Sequence, residues 1–298
     1  MLGTSDISVV VSYYNREQYI DETVQSVLAQ TLKPLEILII NDCSRESSRR
    51  YLDRYSNVGQ IIDLPVNVGL AAARNEGMRR ARGRFIAFLD DDDVWLPKRL
   101  EVQRRYMEEH PACHVVHSAV WAFFSNKADE LWKFFGPQPL TLAEALTHDI
   151  WVIPSTLLIR TEAMRAMGGF DPRLRQNEDG DFVIRCCVAG YSIEGISEPL
   201  ARLRREQHAR LTRRHVRMYF THMRLCWKHR KLYYQVYGLR GILSFLLASL
   251  HLATRETRYI DGVVRLLLRL VKVKWKVRAQ YSEPMLRAKR ADVGEPGS

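Results

Sequence analysis

Apolar positions in the first third of the chain come as short continuous runs, separated by stretches where they recur every three or four residues. ISVVVS (7–12) is β-branched and uninterrupted, as a strand buried on both faces should be. Ile20, Val24, Val27 and Leu28 then take helical spacing, which predicts a helix within 15–30 with Asn15 as its N-cap. EILIIND (36–42), QIIDLP (60–65) and RFIAFLD (84–90) read as three further strands. Between the last two, GLAAARNEGMRRARG reads as a helix closed by Gly83; LPKRLEVQRRYMEEH reads as another, stopped before Pro111. Strands and helices in this alternation predict an α/β fold with a mostly parallel, doubly wound sheet.

The pattern then loosens. FFGPQP interrupts it, STLLIR (155–160) reads as a strand and GGFDP (168–172) as a turn. NEDGDFVIRCCVAG (177–190) places three acids immediately before a helix whose core face includes Phe182 and Cys186. Acids there are favoured by the helix dipole alone. Further on, GILSFLLASLHLAT (241–254) is uncharged for 14 residues, short of the roughly 20 that span a bilayer. IDGVVRLLLRLVKVKWKVR (260–278) mixes Leu and Val with basic residues, as an interfacial amphipathic helix does. From Val271 its period-2 alternation also fits a strand. RAKRADVGEPGS, the last 12 residues, reads as a disordered end.

Charge sharpens this division. Residues 1–200 carry 22 Lys and Arg against 28 Asp and Glu, whereas residues 201–298 carry 23 against 6. A basic back part calls for an acidic partner. The five cysteines, Cys43, Cys113, Cys186, Cys187 and Cys226, include no C-x-x-C pair, and reduced thiols in a cytosolic protein are expected. No signal peptide is expected, because strand patterning begins by Ile7 without a basic, apolar leader.

Candidate chemistry gathers where the sheet would bind a ligand, outside the carboxyl ends of the strands. SYYN follows the first strand, NDCS the second and DDDD (Asp90 to Asp93) the fourth. Four adjacent carboxylates repel, by roughly 4 kcal/mol per pair at 4 Å and an effective dielectric of about 20. A hard divalent cation with diphosphate oxygens would offset that, and would also stabilise a departing diphosphate.

ISVVVSYYNREQYIDETVQSVLAQT, EILIINDCS, NVGLAAARNEGMRRARGRFIAFLDDDDVWLPKRL, GGFD and NEDGDFVIRCCVAGY, in this order, resemble the family 2 glycosyltransferases over roughly residues 6–210. The resemblance implies the GT-A fold and metal-dependent, inverting transfer from a nucleotide sugar, a UDP-sugar in the first place. DDDD matches the D-x-D element, with Asp92 as the Mn²⁺ or Mg²⁺ ligand and Asp90 and Asp91 beside ribose, sugar or metal. Ser12, Tyr14, Glu17, Asp42 and Arg74 match nucleotide-site positions; Asn41 and Cys43 depart from the usual D-D-G-S. Asp179 in NEDGD matches the catalytic base, with Glu178 and Asp181 binding acceptor or orienting it. Arg204, Arg205 and His208 are candidates for the diphosphate, and Trp151 for stacking on an acceptor sugar.

The expected layout is a catalytic domain over 1–215, with a nucleotide half to about 110 and an acceptor half from 111, and a basic, mainly helical region over 216–298. That region would meet the inner face of the plasma membrane, near a glycan or polyprenyl-diphosphate-linked acceptor. Two other readings fit less well. A nucleotidyltransferase would want a Gly-rich loop after the first strand, and SYYNREQY has no glycine. A nucleic-acid-binding protein has no use for the acidic clusters.

Overall fold

The computed structural model describes residues 5–124, 127–134, 139–147, 152–205, 220–221, 223–254 and 287–288. The chain opens with β1 (Ile7–Tyr13), α1 (Glu17–Leu28), β2 (Glu36–Asn41), α2 (Glu46–Tyr51), β3 (Gln60–Asp63), α3 (Leu70–Arg80) and β4 (Phe85–Asp90). There follow β5 (Val94–Trp95), α4 (Arg99–Glu109), β6 (Cys113–Phe124), β7 (Lys127–Phe134) and α5 (Leu142–Thr147). The last described elements are β8 (Leu158–Arg160), α6 (Thr161–Ala166), α7 (Glu178–Val188), β9 (Ser192–Arg205), α8 (Arg230–Thr254) and β10 (Arg287–Ala288). Two compact units result, divided at Leu142/Ala143, Asp149/Ile150, Arg205/Glu206 and Pro284/Met285. The expected boundary at 215 falls outside the described residues.

The first unit is a single sheet in the order β10-β7-β6-β8-β4-β1-β2-β3, with β9 added on β6 and β5 on β9. β3, β2, β1 and β4 are mutually parallel, and every residue of β1 is buried. Its unbroken apolar run is the sequence signature of covering on both faces. Beyond β4 the sheet is mixed rather than parallel. β8 runs antiparallel to β4 and β6, and β6 antiparallel to β7. Only two residues join β6 to β7, too few for a crossover, so the pair must reverse direction.

Three local expectations change. Asn15 does not cap α1. It takes a left-handed conformation (φ 53°), and its side-chain carbonyl accepts from the Arg45 amide at 2.9 Å, tying two loops together. Arg16 occupies the N-cap instead. α3 ends at Arg80, and Gly83 serves a close approach to β1: a Cβ there would lie 2.6 Å from the Ser8 nitrogen. The strand expected at 155–160 begins only at Leu158, because Pro154–Thr156 forms a 3-10 turn whose polar side chains are used elsewhere. At the far end, Arg287 and Ala288 are not disordered but pair as β10 with β7, whose edge offers open backbone groups.

In the second unit α8 contains the uncharged 241–254 stretch and breaks at Gly238 (φ 64°). No described helix is long and apolar enough to cross a membrane. The stretch 260–278 lies outside the described residues. In the first unit α3 packs so closely on β1 that a Cβ on Gly77 would sit 2.3 Å from Val10 Cγ1. Gly77→Ala should therefore cost about 1–3 kcal/mol in urea unfolding, although alanine is the better helix former.

Candidate active site

Register brings the site together. β1 pairs with β4 so that Ser12 stands opposite Asp90, and with β2 so that Tyr13 stands opposite Asn41. The three polar clusters therefore open at one level of one sheet edge. Ser12 is buried there, and its hydroxyl has no hydrogen-bond partner. Tyr14 is exposed beside it.

The four aspartates are separated by giving each its own partner. Asp90 Oδ1 receives Arg74 Nη2 at 2.5 Å. Asp91 Oδ2 accepts from the Tyr14 amide at 2.9 Å. Asp92 Oδ2 receives Arg16 Nη1 at 2.5 Å, and Arg16 Nε lies 3.9 Å from Asp91. Asp93, turned inward, accepts from the Ser155 hydroxyl at 2.6 Å and the Arg204 amide at 3.1 Å. Arg204 Nε adds a bond of 3.0 Å to the Asp92 carbonyl, so β9 is laced to the acidic turn.

Two of the four carboxyls still hold their protons more tightly than a free aspartate. Burial, with the charges of Asp92 and Asp90 adding to it, holds the Asp91 carboxyl up at about 8 even though the Tyr14 amide and Arg16 act the other way. Asp93 is pushed up in the same direction, by burial first and then by Asp92 and Asp90. An all-oxygen donor set with excess negative charge suits a hard divalent cation. No group of three or more His, Cys, Asp or Glu able to hold a metal occurs among the described residues.

Arg74 joins the second acidic motif to the first. Its guanidinium is 1% exposed and also donates to Glu178 Oε1, at 2.8 Å, at the start of α7. Burial works against its charge, but Asp90 and Glu178 outweigh that and raise its pKa. It is a buried link between carboxylates, not a solvated helix arginine. Next to Glu178, Asp179 is half-buried and accepts from the Gly180 amide at 2.8 Å. Burial, with the neighbouring Glu178 charge, raises its carboxyl to about 7.

Other expected site residues have structural employment. Asp181 is fully buried and bonded at 2.8 Å to Arg185, which in turn holds the Met167 and Gly169 carbonyls. Its carboxylate faces the core. Both carboxylate oxygens of Asp42 accept backbone amides, of Val68 at 2.7 Å and Gly69 at 2.9 Å. Glu17 pairs with Arg45. Asn41, where the family pattern has Asp, donates to Asp63 at 2.7 Å, a contact that two acids would make repulsive. Trp151 and His208 lie outside the described residues. Sequence reasoning overlooked Arg16 and Ser155. An arginine directly before a helix that lacks a side-chain cap was the available signal for the first.

Residues 8–168 match the model of the family described as glycosyl transferase family 2. The chain belongs to that family. It is a glycosyltransferase with the GT-A fold. It is 31% identical over 202 residues to TuaG of Bacillus subtilis (strain 168), a protein named for glycosyl transfer in teichuronic acid biosynthesis; the match spans 66% of this chain and 78% of TuaG. Over 216 residues it is 30% identical to the uncharacterized glycosyltransferase MJ1057 of Methanocaldococcus jannaschii, spanning 68% and 73%. Among solved structures it resembles S. aureus TarS 1–349 in complex with UDP-GlcNAc, with a TM-score of 0.58 at 17% identity over 89% of this chain and 86% of that one. The UDP complex of TarS 1–349 gives 0.57 at 18% identity over 93% of each; a longer TarS chain is covered to 52%.

Two outcomes follow from the electrostatics. Arg74→Met leaves the buried Glu178 carboxylate and the partly exposed Asp90 uncompensated and should lower unfolding stability by about 3 kcal/mol. Asp91 has a folded pKa above its unfolded one, so its contribution is complete below the unfolded value and is lost as pH rises through about 8. Asp91→Asn should therefore gain stability relative to wild type as metal-free protein is taken from pH of about 5 to about 9.

Proposed function

We propose that this glycosyltransferase moves a sugar from a nucleotide-diphosphate donor, a UDP-sugar in the first place, to a hydroxyl of a glycan or lipid-linked acceptor, by single displacement with inversion. One observation carries the reading. Asp179, a half-buried carboxyl held at about 7, sits next to Glu178, which Arg74 ties to the acidic turn. A base that titrates near neutrality is suited to taking a proton from an attacking hydroxyl. The UDP and UDP-GlcNAc complexes of TarS support the donor class. The naming of TuaG supports a cell-envelope polysaccharide as the destination.

Ser12 and Tyr14 line the nucleotide side, and Asp42 holds the 67–69 loop that borders it. The Ser12 hydroxyl, buried and unpartnered, is available to a ligand. Asp92, with Asp90 or Asp91, would hold Mn²⁺ or Mg²⁺. Such an ion, when bound, stabilises the charge that develops on a departing diphosphate. Arg16 keeps Asp92 compensated otherwise, Arg204 holds the turn's backbone at the Asp92 carbonyl, and the Ser155 hydroxyl donates to the Asp93 carboxylate. The basic residues after 200 support a position at the inner membrane face, where a polyprenyl-diphosphate-linked acceptor would present its sugar.

Calorimetric titration with UDP, GDP and TDP, each with and without Mn²⁺, tests the donor site. Manganese-dependent binding of one nucleotide, lost in Asp92→Ala, is expected; binding of none overturns the reading. Asp179→Asn should lower turnover by about 10² to 10⁴-fold while leaving nucleotide affinity intact. In wild type, kcat/KM should fall as pH drops below about 7, because the protonated carboxyl cannot accept the hydroxyl proton.

A further inference from the structure

Among its described residues, the second unit carries an exposed aromatic and basic stripe. Residues 223–228 are helical and lead into α8, with backbone bonds from His229 to Leu225 (3.0 Å) and from Tyr233 to His229 (3.1 Å) keeping helical spacing across the junction. Leu225, Cys226 and Tyr233 form the inward face, and the Tyr233 hydroxyl reaches the Leu146 carbonyl at 2.9 Å. Outward, at seven-residue intervals, stand Phe220, Trp227 and Tyr234, exposed by 62%, 71% and 62%. Arg224, Arg230 and Lys231 are exposed between them. Past the break at Gly238, Leu239 (63%) and Leu243 (45%) continue the apolar exposure.

Charge decides what covers this face. From Gln207 to Arg255 the chain contains no Asp or Glu, so the stripe's cations have no acid on their own helix to offset them. An anionic partner would complement them. Trp and Tyr beside Arg and Lys also suit single-stranded nucleic acid, where rings stack on bases. Exposed leucines stack on nothing, and favour acyl chains instead. Rings at headgroup depth, basic side chains reaching phosphates and leucines below them are how an amphipathic helix lies in a bilayer interface.

We propose that this outward face, centred on Trp227 and Tyr234, docks the enzyme in the plane of an anionic phospholipid surface. The proposal deepens the membrane-face reading above and names its contact. It needs no residue of the candidate active site.

The test uses the full chain and sedimentation with vesicles of phosphatidylcholine, alone or mixed with phosphatidylglycerol. Wild type should sediment with the mixed vesicles only. Trp227→Ser combined with Tyr234→Ser should weaken that partitioning about tenfold or more, and Arg230→Glu with Lys231→Glu should do likewise. Nucleotide binding should be unchanged in both, which also shows that they fold and separates failure here from failure of the donor reading. The proposal is overturned if wild type ignores anionic vesicles, if the aromatic pair can be removed without effect, or if single-stranded oligonucleotide competes the protein off the vesicles.

Discussion

A buried arginine between two carboxylates holds the candidate site together. Arg74 sits on α3, Asp90 ends β4 and Glu178 begins α7, so three elements far apart in the chain meet at one guanidinium. Such a cation cannot be left unpaired in the interior, and neither can its acids. Each therefore constrains the others: α3, seated against β1 and β2, must bring Arg74 to the end of β4, and α7 must present Glu178 in its first turn to the same guanidinium. The tight seating of Gly77 on Val10 serves the same alignment. As a result Asp179, next to Glu178, lies within electrostatic reach of Arg74.

The acidic turn solves its own repulsion by dispersal rather than by neutralisation. Arg74, the Tyr14 amide, Arg16 and the Ser155–Arg204 pair approach the four aspartates separately. Asp91 and Asp93 nonetheless remain disposed to keep protons. Arg16, about a third exposed, compensates Asp92 from the solvent side, whereas Arg204, on β9, anchors the same turn through backbone groups.

Much of the nucleotide half was legible before folding. Runs such as ISVVVS and EILIIND announce strands covered on both faces, and their polar ends mark the ligand edge, because side-chain burial and strand length are local in their effect. Phe182 and Cys186 occupy the core face of α7 as spacing indicates. The mixed half was less legible: β8 is three residues long, and its direction depends on which neighbours remain unpaired. Asn15 misled for a related reason. Its residue type favours a cap, but a left-handed backbone beside Arg45 used its side chain elsewhere.

The sequence by itself determined which residue types are available: an acid-rich sheet edge, a second acidic motif at a helix start, and a basic back part from which acids vanish over a long interval. Tertiary structure alone decided how they are employed. Asp179 and Asp181 are two residues apart and chemically identical, yet one half-faces solvent with a raised pKa and the other is sealed in the core against Arg185. Arg74 and Arg16 are both arginines near the same turn, one entirely buried and one partly exposed. Helix phase and sheet register set those differences, and both are fixed by the packing of distant segments, which no local pattern contains.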